Sequence, residues 1–143
     1  MAHHSRRTVL AALAGLAVPG CSQQNEGTEE IHYGREACAK CGMIISDPHF
    51  AAEIRGGPDL ALAKFDDVGC AVNWLEKKPW RAETSTRFWV MNGETGKEWL
   101  DARSSWYIPG MMSPMNYGFG AVAQQKSGAV DFATMQAQAL AKG

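Results

Sequence analysis

No apolar run in the sequence reaches the roughly 18 residues that a membrane-spanning helix needs. There is no excess of positive charge either: 14 Lys and Arg stand against 15 Asp and Glu, for a formal charge of −1. A nucleic-acid binder normally carries a basic face, so this balance argues against one. Glycine and proline are too few, at 15 and 6 of 143 residues, for a collagen-like or low-complexity chain. There is no Gly-x-Ser-x-Gly, no His-Glu-x-x-His and no phosphate-binding glycine loop, so no catalytic constellation points to an enzyme. Histidine is scarce as well, with only His32 and His49 beyond the first few residues. What is left is a small globular domain with four cysteines and seven methionines.

The N-terminus reads as an address. Arg6 and Arg7 precede the apolar stretch Val9–Val18, and Pro19-Gly20-Cys21 follow it. A charged start, a short apolar segment and small residues are the parts of an export signal. Ser5-Arg6-Arg7-Thr8-Val9-Leu10 looks like a twin-arginine signal, and Val18-Pro19-Gly20-Cys21 resembles a lipobox with Cys21 as the lipidated residue. Removing residues 1–20 takes away two of the 14 basic residues and no acid, which leaves a net charge of −3. Residues 21–36 are polar and predict a flexible tether, so the folded part is expected over 37–143. The address implies an oxidising, extracytoplasmic setting, with anchorage to a lipid bilayer through Cys21.

The folded part reads as α+β. Phe50–Arg55 and Leu60–Asp66 flank Gly56-Gly57-Pro58-Asp59 and predict a hairpin. Asp66 or Asp67 caps a helix running to about Lys78, in which Val68, Ala71, Val72 and Leu75 form one buried stripe. Thr86–Met91 and Lys97–Ala102 bracket the turn Asn92-Gly93-Glu94-Thr95-Gly96 and predict a second hairpin. Phe119–Gln124 is a further strand, and a helix over about Val130–Ala141 buries Phe132, Met135 and Ala139. Strand–strand–helix thus occurs twice, in halves of about 37–80 and 81–143. A shift of 69 residues sets Met43, Phe50 and Ala52 on Met112, Phe119 and Ala121, and one gap pairs Gly42-Met43 with Gly110-Met111. Five tryptophans are many for this length, and most are expected in the core.

Sulfur carries the chemistry. Cys38-Ala39-Lys40-Cys41-Gly42-Met43 places two thiols three residues apart, turned by glycine, with a thioether beside them. The spacing suits two sulfurs on one metal ion, or a local disulfide or redox pair. A redox pair of the thioredoxin type opens a helix, and Ile44-Ile45-Ser46-Asp47-Pro48 does not begin one well. Cys70 lies in the first turn of the predicted helix, about 150° from the centre of its buried stripe. That position suits a ligand better than a structural cysteine, which prefers the stripe. Cys-x-x-Cys-Gly, then a hairpin, then a helix-start cysteine is the layout of a treble-clef metal knuckle. Met111, Met112 and Met115 cluster in a loop bounded by Gly110 and Pro114, where no periodic face asks for core residues. Met91 and Met135, in a strand and a helix, are expected in the core. Thioethers and thiolates together select Cu(I) over harder divalent ions. His49 is an auxiliary candidate. A structural Zn²⁺ knuckle on Cys38, Cys41 and Cys70 is the rival, although Asn73, where a fourth ligand would sit, is a poor donor. A thiol–disulfide oxidoreductase is the third reading.

The pattern resembles NosL, the lipoprotein family of accessory factors for nitrous oxide reductase. The matching pieces are Cys38–Met43, Phe65-Asp66-Asp67-Val68-Gly69-Cys70, Gly96-Lys97-Glu98-Trp99-Leu100-Asp101-Ala102 and Ser113-Pro114-Met115-Asn116-Tyr117-Gly118-Phe119. The resemblance implies a periplasmic Cu(I) chaperone, not an enzyme, that works with a membrane maturation complex on a copper enzyme. It also implies two small ββα-type, treble-clef-like halves packed together. Family variation leaves Cys41, Met43 and one of Met111, Met112 or Met115 as the core of the site, with Cys38 and Cys70 as further members.

Overall fold

The computed structural model describes residues 26–143. The expected export signal and lipidation site, Cys21, lie outside these residues. Two antiparallel sheets and two helices make up the fold. Strands β1 (Ala52–Gly56) and β2 (Ala61–Phe65) form the first hairpin, and helix α1 (Val68–Glu76) follows. Strands β3 (Arg87–Met91) and β4 (Trp99–Asp101) form the second, and β3 pairs with β1, giving one sheet in the order β2-β1-β3-β4. The two expected halves therefore share a sheet. Strands β5 (Trp106–Pro109) and β6 (Phe119–Val122) pair separately, before helix α2 (Phe132–Lys142). No helix among the described residues is long and apolar enough to cross a membrane.

The strand–strand–helix order does occur twice, but its second instance is β5-β6-α2. The sequence reading missed β5. Trp-Tyr-Ile-Pro is short, lacks alternation and ends in a residue that cannot donate to a ladder; its order comes from β6 and from the bridge between Tyr107 and Val130. The expected Phe50 start of β1 is instead a single 3₁₀ turn, Pro48–Phe50, capped by Asp47.

One sheet face presents Ala52, Ile54, Phe65, Phe88 and Val90, all buried, in register across β1, β2 and β3. The stripe Val68, Ala71, Val72 and Leu75 of α1 is buried as expected. Seven of the nine α1 residues are buried in total, and Asn73 helps to join α1 to α2 by donating to the Ala139 carbonyl at 3.1 Å. In α2, Met135 and Ala139 are fully buried and Phe132 is half-buried. Met91 is buried too.

The alternate residues of β1, Glu53 and Arg55, point to the other face and are also buried. Residues 27–36 cover them. The Glu29 N–H donates to Glu53 at 3.0 Å, Arg55 donates to Gly27 and Glu29, and Lys64 donates to Glu30 and Glu36. Ile31 enters the core at 5% exposure. The folded part thus begins near Gly27 rather than Ala37: polar pairing, not apolar periodicity, holds this stretch down. The tryptophans also depart from expectation. All five are half-buried; Trp74 packs edge-on to Phe65 at 5.3 Å and to Trp80 at 5.8 Å.

Candidate metal centre

The cysteine turn is a miniature hairpin closed by a bridge between Ala37 and Ile44. The Cys38 N–H donates to the Met43 carbonyl at 2.8 Å and the Gly42 N–H to the Cys38 carbonyl at 2.9 Å. Gly42 takes φ +76°, a left-handed conformation that a side chain would strain. The Ala39 N–H donates to Lys64 at 2.9 Å and so docks the turn on β2.

At the far end of β2 the chain passes through Asp66 and Asp67 into α1. Asp67 is the cap: its Oδ1 accepts from the Gly69 N–H at 3.0 Å. That leaves Asp66 free, and its buried carboxylate turns to the cysteines, with both oxygens 3.5 Å from Cys41 Sγ. Cys70, one turn into α1, is fully buried and faces the same point. The ligand atoms of Cys38, Cys41, Asp66 and Cys70 all lie within 4.8 Å of one another. Cys38 and Cys70 are sealed, whereas Cys41 is half-buried and forms the outer side of the group.

A hydrogen bond from Cys70 is the main cause that holds the Cys38 thiol down to about 4, against the opposing effect of burial. Cys70 is pushed up, first by that same bond and then by burial. Burial raises Cys41 to about 11. Asp66 rises to about 6, chiefly through burial and then through Cys38. Three thiols and a carboxylate gathered around little charge invite a cation, which would stabilise every deprotonated donor at once.

The methionine loop is held by residues that neighbour this group in sequence. Asp67 Oδ2 accepts from the Ser113 hydroxyl at 2.6 Å and from the Met115 N–H at 3.1 Å, so one carboxylate caps α1 and holds the loop. Tyr117 lies flat against Gly69, where a Cβ would meet its Cγ at 1.9 Å. Lys40, from the cysteine turn, donates to the Tyr117 hydroxyl at 3.0 Å. Met112 is 93% exposed and Met43 58%. With Ile44, Met111 and Met115 they are the exposed large apolar side chains among the described residues.

Of the residues marked in the sequence, the structure gathers Cys38, Cys41 and Cys70, and leaves Met43, Met111, Met112 and Met115 at the surface of two adjoining loops. His49 is outside the group: its Nδ1 lies 2.8 Å from Asp47, and its ring packs over Gly96. Asp66 was missed. In the sequence, either member of the Asp66-Asp67 pair explains the cap; that one helix needs only one such residue was the available signal.

In sequence, no family model and no curated protein matches the chain. In structure, it is similar to the crystal structure of the copper chaperone NosL from Shewanella denitrificans. The TM-score is 0.59 over 78% of this chain and 87% of that one, at 16% identity, a likeness of fold.

Proposed function

We propose that this chain is an extracytoplasmic Cu(I)-binding chaperone, anchored to a membrane through lipidated Cys21 and handing its ion to a copper enzyme such as nitrous oxide reductase through a membrane maturation complex. One observation carries the reading: three thiols with donor atoms within 4.8 Å of one another, in a chain whose neighbouring loops expose thioethers to solvent. Thiolates and thioethers are soft donors that favour Cu(I). The fold likeness to a copper chaperone supports the same ion. Cys41, on the open side, is the natural point of exchange, since an incoming partner ligand can add there before a buried one leaves. Met43 and one of Met111, Met112 or Met115 would receive the ion at the surface. No turnover belongs to this reading. Competition with a chromophoric Cu(I) chelator tests it: the wild type should withdraw one equivalent, and a Cys41→Ser variant that competes equally well would remove the proposal.

A second reading has an observation of its own. Asp66 supplies the fourth donor that Asn73 could not, and a closed four-donor set suits structural Zn²⁺. Metal content separates the two. Zinc that resists chelators, and whose removal unfolds the chain, favours this alternative.

A further inference from the structure

We infer that the thiol cluster is also a modification site: a small-molecule disulfide oxidises the metal-free chain, and the bond formed joins Cys38 to Cys41. The site's regulation follows, because this bond and a bound metal ion exclude each other; that second part rests on the metal reading above.

Access sets the order of events. Cys38 and Cys70 are 3% and 0% exposed, and Cys41 alone of the three is open to an incoming reagent. Both Asp66 oxygens stand 3.5 Å from Cys41 Sγ, on the inner side of the reacting sulfur. The Cys41 sulfur attacks one sulfur of the reagent, the reagent's S–S bond breaks, and a mixed disulfide forms at Cys41. One thiolate departs with the proton that Cys41 gave up. A second protein sulfur then attacks Cys41 Sγ and expels the other half of the reagent, which leaves as a thiol. Two protein thiols lose two electrons in all, and one small disulfide becomes two thiols.

Geometry decides the resolving residue. The sulfurs must close from within 4.8 Å to about 2.05 Å. Cys38 and Cys41 share one short turn, so the link closes a loop of only four residues. Cys70 is held by the backbone of α1. The Asp67 cap fixes its first turn, and the Tyr117 ring presses on Gly69 with no room to spare. A bond to Cys70 would tie the turn to α1, whereas a bond to Cys38 stays within one short turn. The Cys38–Cys41 bond then removes two of three thiolates from the metal site and leaves Cys70 reduced.

The sequence offers a direct readout, because trypsin puts each of these cysteines on its own peptide: Glu36–Lys40, Cys41–Arg55 and Phe65–Lys77. The full chain, reduced and stripped of metal, is incubated with oxidised glutathione, alkylated, digested and weighed. The expected product joins Glu36–Lys40 to Cys41–Arg55, with Phe65–Lys77 alkylated at Cys70. A link through Cys70, or glutathione retained on Cys41 with no link, overturns the assignment. Uptake of Cu(I) or Zn²⁺ by the oxidised chain should fall at least about tenfold, since thiolates are the ligands. Prior loading with either ion should slow the link by a similar factor. A link that forms and leaves metal uptake unchanged overturns the exclusion. A reduced chain that binds neither ion yet still forms the link removes the metal reading and upholds the modification site.

Discussion

Gly42-Met43 and Gly110-Met111 begin from the same local conformation, with φ of +76° and +80° at the two glycines. Each step sits in a turn closed by a backbone bond at its methionine: Met43 accepts from Cys38, and the Met111 N–H donates to Gly118. From there the two regions diverge. The turn at 37–44 hands its cysteines inward, where the fully buried Cys70 meets them. The loop at 110–118 is pinned by Asp67, Lys40 and Lys142 and still leaves Met112 almost wholly in solvent. A thiol gains ligand strength by losing a proton, which a sealed, prearranged site can control. A thioether has no proton to lose and binds as well at the surface. In the proposed reading this contrast is a division of labour: enclosed thiols would hold the ion and exposed thioethers would meet the partner.

The largest effect expected from this contrast is on copper affinity. Cys38→Ser should weaken Cu(I) binding by more than about 100-fold, above the range found for residues that merely support a ligand. Met112→Leu should change it only a few-fold, and chelator competition reads both. Equal losses would erase the distinction between the regions.

The joint between them comes next. Gly69→Ala sets a methyl carbon against the Tyr117 ring, and the forced repacking should destabilise the fold by about 3 kcal/mol in urea titration. An unchanged midpoint would mean that the loop does not bear on α1.

The cysteine side should titrate, and the methionine side should not. Asp66 has a folded pKa of about 6, raised by burial above its ordinary 3.8. The folded state therefore prefers the protonated carboxyl. The stability this gives the metal-free chain is complete below about pH 3.8 and is lost as pH rises through 6. Burial also raises Glu53, to about 7, with the same sign over a slightly higher window. Asp66→Asn should flatten the lower part of this slope by roughly 3 kcal/mol, as read by denaturation at stepped pH, and Met115→Leu should leave it intact. The smallest effect is on stability at Met112: Met112→Leu should stay within about 0.5 kcal/mol of wild type, because the side chain packs on little.

Much of the cysteine cluster was legible in sequence because its parts have fixed spacings. Cys38, Cys41 and Gly42 spell a turn, and Cys70 lies off the apolar stripe of a helix whose stripe is plain. Asp66 was hidden behind Asp67, since a local rule satisfied by either residue cannot say which one is released for other work. The fold was legible where apolar periodicity governs, as in α1 and the β1–β2 hairpin. It was not legible where distant polar pairing does, as for residues 27–36 against Glu53, Arg55 and Lys64. Nor could a strand as short as β5 announce itself, since its order depends on a partner that comes ten residues later. The tryptophans misled for a related reason: large rings cover the edges of a small core instead of filling it.

X-ray absorption at the copper edge, on the chain loaded with one equivalent of Cu(I), counts the neighbours of the ion directly. Two or three sulfur neighbours are expected, with the count falling in Cys38→Ser and unchanged in Met112→Leu. A first shell of nitrogen and oxygen only, or one that Cys38→Ser leaves untouched, would contradict that expectation.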